Sequence, residues 1–289
     1  MDHVPYDFVK NVCLQSLSRI FPVHLKVFSD LSGVYCKCAN KLLKDGLVER
    51  SAVKNGIHER TDYSYYRDFK NDIIPGSEKL MSSHILMNCI ELESMRGTET
   101  KVYCKPKFGF CAFFHISTTS SLSQIDSEWI AEVSSAVPVP FAIFQVVENP
   151  STRKALKVLA DTKRLTHLQY QKPIESQETR QLLVDLFQQD QFSLLMSLPD
   201  RPLYEAIVDA WKTQPEKCSG KQLQIWGYLD VSCCYFTEEK KKSDKHKTFS
   251  VMTKAGTLCV TYVNEEGSFN MALEDFLKGV TGTLIMFEP

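Results

Sequence analysis

The sequence has little net charge of either sign. Lys and Arg together number 34 against 35 Asp and Glu, for a formal charge of -1, so no global field draws the chain towards nucleic acid or an anionic membrane. It has no run of about 20 uninterrupted apolar residues, and the start Met1-Asp2-His3-Val4-Pro5 is not the basic opening of a secretory leader. These absences predict an intracellular protein, cytoplasmic or nuclear, with neither a membrane nor a nucleic acid as partner. The cysteines, at 13, 36, 38, 89, 104, 111, 218, 233, 234 and 259, are too scattered to lay out a disulfide framework. Several sit in apolar runs, where a reduced thiol packs as a small hydrophobe.

Signatures of chemistry are also missing. There is no glycine-rich dinucleotide loop, no Gly-x-x-x-x-Gly-Lys-Ser/Thr phosphate cradle and no Gly-x-Ser-x-Gly elbow. Cys36-x-Cys38 lacks a second pair at finger spacing, and adjacent Cys233 and Cys234 do not make a zinc knuckle. His115 and His167 lie in apolar, strand-like segments that can face a groove; a hydrogen-bonded structural histidine is the plainer reading of each. Asp185, Asp190 and Asp209 fall on or beside helical patterns, where solvation explains them. The expectation is therefore no enzyme, no cofactor and no metal. The basic run Lys240, Lys241, Lys242, Lys245, Lys247, mixed with Glu238, Glu239 and Asp244, reads as a solvated loop.

What the sequence does have is a spacing. Phe141-x-x-Phe144-x-Val146, Leu165-x-x-Leu168-x-Tyr170, Phe192-x-x-Leu195-x-Ser197 and Leu223-x-x-Trp226-x-Tyr228 share one apolar pattern, with helical segments between them. A strand followed by a helix cannot bury its apolar face alone, and stacking such units side by side solves the problem. Asp126 and Ser151 are the expected helix caps, Ser176 with Thr179, Leu182, Leu183, Leu186 and Phe187 makes the longest helical pattern, and Pro202 opens the helix through Tyr204, Ile207, Val208 and Trp211. The alternation predicts parallel pairing through helical crossovers. Alternate strand residues, among them Gln145, His167, Gln169 and Gln224, then form a polar ladder facing outwards, a surface of the kind curved arrays use for partners.

Upstream, Val4 to Leu17 and His24 to Leu43 read as two helices, the second interrupted near Ser32-Gly33. The pattern weakens from Asp45 to Gly76, where Tyr63, Tyr65, Tyr66 and Phe69 fit a short strand or turn pinned against a core, with an aromatic contact site as the alternative. His84 to Leu92 and Phe110 to Ile116 are strand candidates that a hairpin could join. Downstream, Ser232 to Phe236, Thr248 to Met252, Leu258 to Val263 and Thr283 to Phe287 read as strands and Met271 to Leu277 as a helix, a group that caps the array's open end. The expected fold is α/β, with a helical N-terminal portion followed by an irregular, repeat-like strand-helix array with a parallel sheet. Its parts are residues 1–44 (helical), 45–137 (mixed linking region), 138–230 (array) and 231–289 (C-terminal α/β cap).

The opening Val4-Pro5-Tyr6-Asp7-Phe8-Val9-x-x-Val12, followed by a second amphipathic helix, resembles the short helical F-box module. The wider chain resembles nematode-expanded F-box-associated proteins, through that segment, the helix Leu203 to Trp211 with Lys212 and Pro215, and the strand entry Gly220-Lys221-x-Leu223. The Leu-x-x-Leu spacing also resembles a leucine-rich repeat, without its asparagine step. The F-box resemblance implies docking on a ubiquitin-ligase scaffold through Pro5, Phe8, Val9, Val12 and Leu17, with the following region holding a substrate protein. The function expected is thus a protein-protein interaction module, a substrate-recruiting adaptor of a ubiquitin ligase. The competing expectations are a non-enzymatic structural or regulatory protein without scaffold binding, and an atypical enzyme built around His115 or His167.

Overall fold

The computed structural model describes residues 28–45, 47–54, 57–65, 85–93, 113–118, 128, 130–132, 141–231, 238–243, 245–267 and 271–288. The class is mixed α/β, as expected, with both parallel and antiparallel strand pairing. The chain forms two compact units, Met1–Thr166 and His167–Pro289.

In the first unit, helix α1 (Val34–Asp45) starts directly after Gly33, whose φ of 75° lies in the left-handed region; glycine enters that region without the clash a Cβ would cause. This is the interruption expected in the second N-terminal helix. Cys38, Ala39 and Leu42 are buried, and the rings of Phe28 and Tyr35 stack at 6.0 Å. Strands β1 (Leu47–Lys54) and β2 (Ile57–Tyr65) pair antiparallel, Lys54 opposite Ile57. Asn55-Gly56 between them is the dipeptide that best suits a two-residue hairpin, and Tyr63 and Tyr65 fall within β2. Beyond β1 come β3 (Ile85–Glu93), β4 (Phe113–Thr118) and β5 (Phe141–Val146), each parallel to its neighbour. β3 and β4 pair parallel, so the hairpin that the sequence allowed between them is not formed.

Helix α2 (Pro150–Asp161) follows β5. Its cap is Asn149, whose side chain accepts the Thr152 N–H at 2.8 Å, rather than the expected Ser151. Pro150 at the first helical position explains the shift, since a missing N–H costs nothing there. Strand β6 (Leu165–Tyr170) carries the chain across the boundary into the second unit.

The second unit is one mixed sheet in the order β6, β7 (Leu194–Ser197), β8 (Gln222–Trp226), β12 (Gly282–Glu288), β11 (Gly256–Val263), β10 (His246–Thr253), β9 (Glu238–Ser243). β6, β7 and β8 run parallel; from β8 onwards every pair is antiparallel. The C-terminal strands therefore continue the array's own sheet. The crossovers are α3 (Gln177–Phe187) and α4 (Arg201–Thr213), the latter followed by the single turn α5 (Pro215–Cys218). Ser176, placed by the sequence reading within the helical pattern, caps α3 through the Thr179 N–H at 3.1 Å. Asp200, which the sequence reading passed over, caps α4 through the Leu203 N–H at 2.8 Å.

The core lies on one face of this sheet. Phe287 on β12 meets Phe187 of α3 at 5.4 Å and Trp211 of α4 at 5.7 Å, both edge to face, so the two helices share the face of Thr283, Ile285 and Phe287. Leu195, Leu223, Ile225, Leu258 and Val260 complete this interior. Short helix α6 (Leu273–Lys278) joins the same side: Lys247 on β10 donates to Met271 O at 3.0 Å and lies 4.8 Å above the Phe276 ring. Asn264 ties α6 down, donating to Phe276 O at 2.8 Å. Gly279 is required there because an added Cβ would stand 2.6 Å from the Asn264 amide nitrogen.

The lysine run corrects the solvated-loop expectation. Glu238 to Ser243 forms β9, paired to β10, and Lys247 is buried within β10. A backbone ladder bonds whatever the side chains are, so a charged segment can form a strand once a neighbouring edge is available.

Candidate functional site

Two continuous rows of residues run across the sheet of the second unit on the face away from α3, α4 and α6. The first is His167, Leu194, Gln222, Met286, Cys259, Ser250; the second is Gln169, Met196, Gln224, Leu284, Thr261, Thr248. Strand residues two apart share a face, so both rows lie on one surface, and none of these residues is charged. Exposure differs along this surface. Leu194, Met196, Gln222, Gln224, Trp226, Leu284, Met286 and Cys259 are half-buried, whereas His167 and Gln169 on one flank and Thr261, Thr248 and Ser250 on the other are buried. The accessible part is thus a neutral strip over β7, β8 and β12, with glutamine amides as donors and acceptors among thioether, leucine and indole groups.

The outer surfaces of the helices differ in composition. α4 carries the ion pairs Arg201 with Glu205 at 2.8 Å and Lys212 with Asp209 at 3.7 Å, the usual dress of a solvated helix.

The polar ladder is therefore only partly outward. The structure brings His167, Gln169 and Gln224 to one face, as the alternation predicts, but leaves only Gln224 of the three half-exposed; all six residues of β6 are buried. Gln145 lies in β5 of the first unit. Pro5, Phe8, Val9, Val12 and Leu17 lie outside the described residues. Burial holds His167 neutral, lowering its pKa from 6.5 to about 4, and its in-register neighbour is Leu194, an apolar residue. His115 stands on β4 in register with Cys89 and Ala142.

The strongest polar constellations elsewhere in this unit serve the fold. At the carboxyl ends of the parallel strands, where open α/β sheets bind ligands, Arg180 holds both Asp200 oxygens from Nε at 3.1 Å and also donates to the Ile174 and Glu175 carbonyls. The carboxylate thereby fills the anion position at the N-terminus of α4. At the opposite ends, Lys221 is buried and donates to Phe187 O and Gln189 O, each at 2.7 Å, satisfying carbonyls that helix α3 leaves open at its C-terminus. Burial lowers its pKa to about 8 and pushes the neighbouring Cys218 thiol up.

Sequence reasoning missed Met196, Gln222, Trp226, Leu284 and Met286 as members of the strip. For Gln222 and Trp226, two residues from Gln224, and for Met196, in parallel register with it, the signal was available, whereas Leu284 and Met286 join through the antiparallel pairing of β12 with β8, which the expected parallel array does not supply. Among the described residues there is no cluster of three metal-ligating side chains, and no helix is long and apolar enough to cross a membrane. Comparison with protein-family models, with curated proteins and with solved structures returns no match to this chain.

Proposed function

We propose that this chain is an intracellular protein-binding module, acting by recognition rather than catalysis, and that it recruits a substrate protein to a ubiquitin ligase. The observation that carries the reading is the uncharged strip of Leu194, Met196, Gln222, Gln224, Trp226, Leu284 and Met286 on the sheet face of the second unit. Depletion of charge, with methionine and an aromatic present, is the compositional mark of an interface centre. Methionine adapts its shape to a partner, and a tryptophan at such a place is a frequent energetic anchor. The fold-serving roles of Asp200, Arg180 and Lys221 support binding over catalysis. The adaptor part rests on the F-box-like segment: Pro5, Phe8, Val9, Val12 and Leu17 would dock the scaffold, and the strip would hold the substrate near a separate catalytic assembly, raising its effective concentration.

A photo-crosslinking residue placed at Gln224, compared in cells with the same residue at exposed Asp209 on α4, tests the strip. A discrete protein adduct at position 224 alone is expected; equal or absent labelling at both positions overturns it. Capture of the ligase scaffold by the wild type and its loss in Phe8→Asp/Val12→Asp tests the adaptor role separately. No capture by either chain would leave a binding module without that role.

A further inference from the structure

We infer that Gly282 sets the specificity of the neutral strip: the side chain missing there leaves a hollow that takes one large apolar side chain of the partner protein. The inference rests on the binding role proposed above for the strip and names the anchor which that role needs.

Gly282 opens β12 directly opposite Trp226 of β8 and Val263 of β11. It stands two residues from Leu284, so Trp226, Gly282 and Val263 form the next row of the strip's face. Nothing in the fold calls for a glycine at this place. The pairing runs without a register shift on both sides, and the Thr281 N–H continues it onto Val263 O at 2.8 Å, so there is no bulge to accommodate. The φ of Gly282 is not positive, unlike those of Gly220, Gly227 and Gly256. A Cβ added to it would meet Ile225 O at 3.7 Å and Val263 Cβ at 3.9 Å, ordinary contacts, whereas at Gly279 it would stand 2.6 Å from Asn264. Nor does the neighbouring indole roof the glycine, as aromatic rings can do in sheets: no Trp226 atom lies within 4 Å of that Cβ position, and Gly282 remains half-exposed.

A glycine in a sheet loses backbone entropy on folding and offers no cross-strand packing, both of which a valine would improve. The fold thus forgoes stability at Gly282 without a reason of its own. The reason left for a glycine in a strand is the close approach of another molecule.

The walls say what approaches. Trp226 and Val263 stand two strand spacings apart, about 10 Å, which is room for a single side chain, and Leu284 and Gln224 close the side towards the strip. Trp226, Val263, Leu284 and Gln224 are all half-buried and uncharged. A charged group seated among them would give up its water without meeting an opposite charge, so the fit is to a leucine-, methionine- or phenylalanine-sized group. Such a residue, set against an indole in a desolvated hollow, has the make-up of an energetic anchor.

Gly282→Val in the full chain tests the inference through two readouts. Valine fits the space and favours a strand, so the variant should melt about 2–4 °C higher than the wild type. The protein adduct formed in cells by the photo-crosslinking residue at Gln224 should fall by about 10-fold in Gly282→Val and by roughly threefold in Gly282→Ala. The partner segment attached at position 224, sequenced by mass spectrometry, should hold a large apolar residue whose change to Asp in the partner removes the adduct. An adduct undiminished in Gly282→Val overturns this inference alone and leaves the strip as a binding surface. A lower melting temperature in that variant, an adduct to another copy of this chain, or an attached segment anchored by a charged residue also overturns it. No adduct from the chain that keeps Gly282 overturns the reading of the strip and this inference together.

Discussion

In the parallel arm of the second unit, β6 to β8, every connection is a helix; in the antiparallel arm, β12 to β10, strands follow one another through shorter links, such as the turn at Thr253 to Gly256. The arms bury their interiors differently as a result. The parallel arm is covered by two helices whose Leu183, Leu186, Phe187, Leu203, Ile207 and Trp211 are buried, and its polar groups serve mainly helix ends. In the antiparallel arm α3 and α4 meet Phe287 on β12, the short helix α6 packs beside Lys247 on β10, and buried polar side chains supplement them. Lys247 and Asn264 hold backbone carbonyls at the ends of that helix, Thr283 bonds Gly227 O, and Thr248 meets Thr261 across two strands at 2.8 Å. Where apolar area runs short, satisfied hydrogen bonds fix the geometry, each with a small net stabilisation and a larger penalty when broken.

The largest test strikes the ring that joins the arms. Phe287→Ala removes the side chain that α3 and α4 both meet and should cost about 3–5 kcal/mol, measured by urea unfolding, with Trp211 fluorescence following the interior. A loss below about 1 kcal/mol would mean that the two arms do not share this interior. Next in size, Asp200→Ala deletes the cap of α4 and strips Arg180 of its carboxylate partner, for about 2–4 kcal/mol. Ser176→Ala removes a cap without an ion pair and should cost only about 1 kcal/mol; equal losses would show that the Arg180 contact contributes nothing.

His167 gives a pH-dependent contrast. Its folded pKa of about 4 lies below the ordinary 6.5, so between these values the unfolded chain binds the extra proton. Stability is fully present above pH 6.5 and declines as pH falls towards 4, by at most about 1.4 kcal/mol per unit. In His167→Gln that part of the decline should vanish, measured as unfolding midpoints over this window; parallel curves for the two chains would contradict a buried neutral imidazole. The smallest effect belongs to the antiparallel arm. Thr248→Val orphans the Thr261 hydroxyl and should cost about 1 kcal/mol, while Thr248→Val/Thr261→Val should return close to wild-type stability. Additive losses would show that the hydroxyls do not partner one another.

Legibility in the sequence followed the same division. The parallel arm was readable because strand and helix periods differ, and because Ser176 and Pro202 mark helix starts by local chemistry alone. Asp200 was missed, although its position just before Pro202 is itself a capping signal. The β1-β2 hairpin was missed because Asn55-Gly56 sits between strands too mixed in polarity to announce a core face. β9 was read as a loop because its residues are all charged or small and polar; only the edge of β10 makes a strand of them. Of the candidate site, Gln224 was placed on the right face, but burial on β6 was invisible, since alternation predicts which residues share a side and says nothing of what lies over it.

The local order of charges, caps and apolar spacings was determined by the amino-acid sequence alone, because those features act between residues close in the chain. The order and direction of the strands, the burial of His167, Lys221 and Lys247, and the gathering of Met196, Gln224 and Leu284 into one neutral row were decided only in the tertiary structure. Each depends on contacts between residues distant in sequence, and in a sheet a residue's neighbours across the ladder are set by strand order, which no single segment carries.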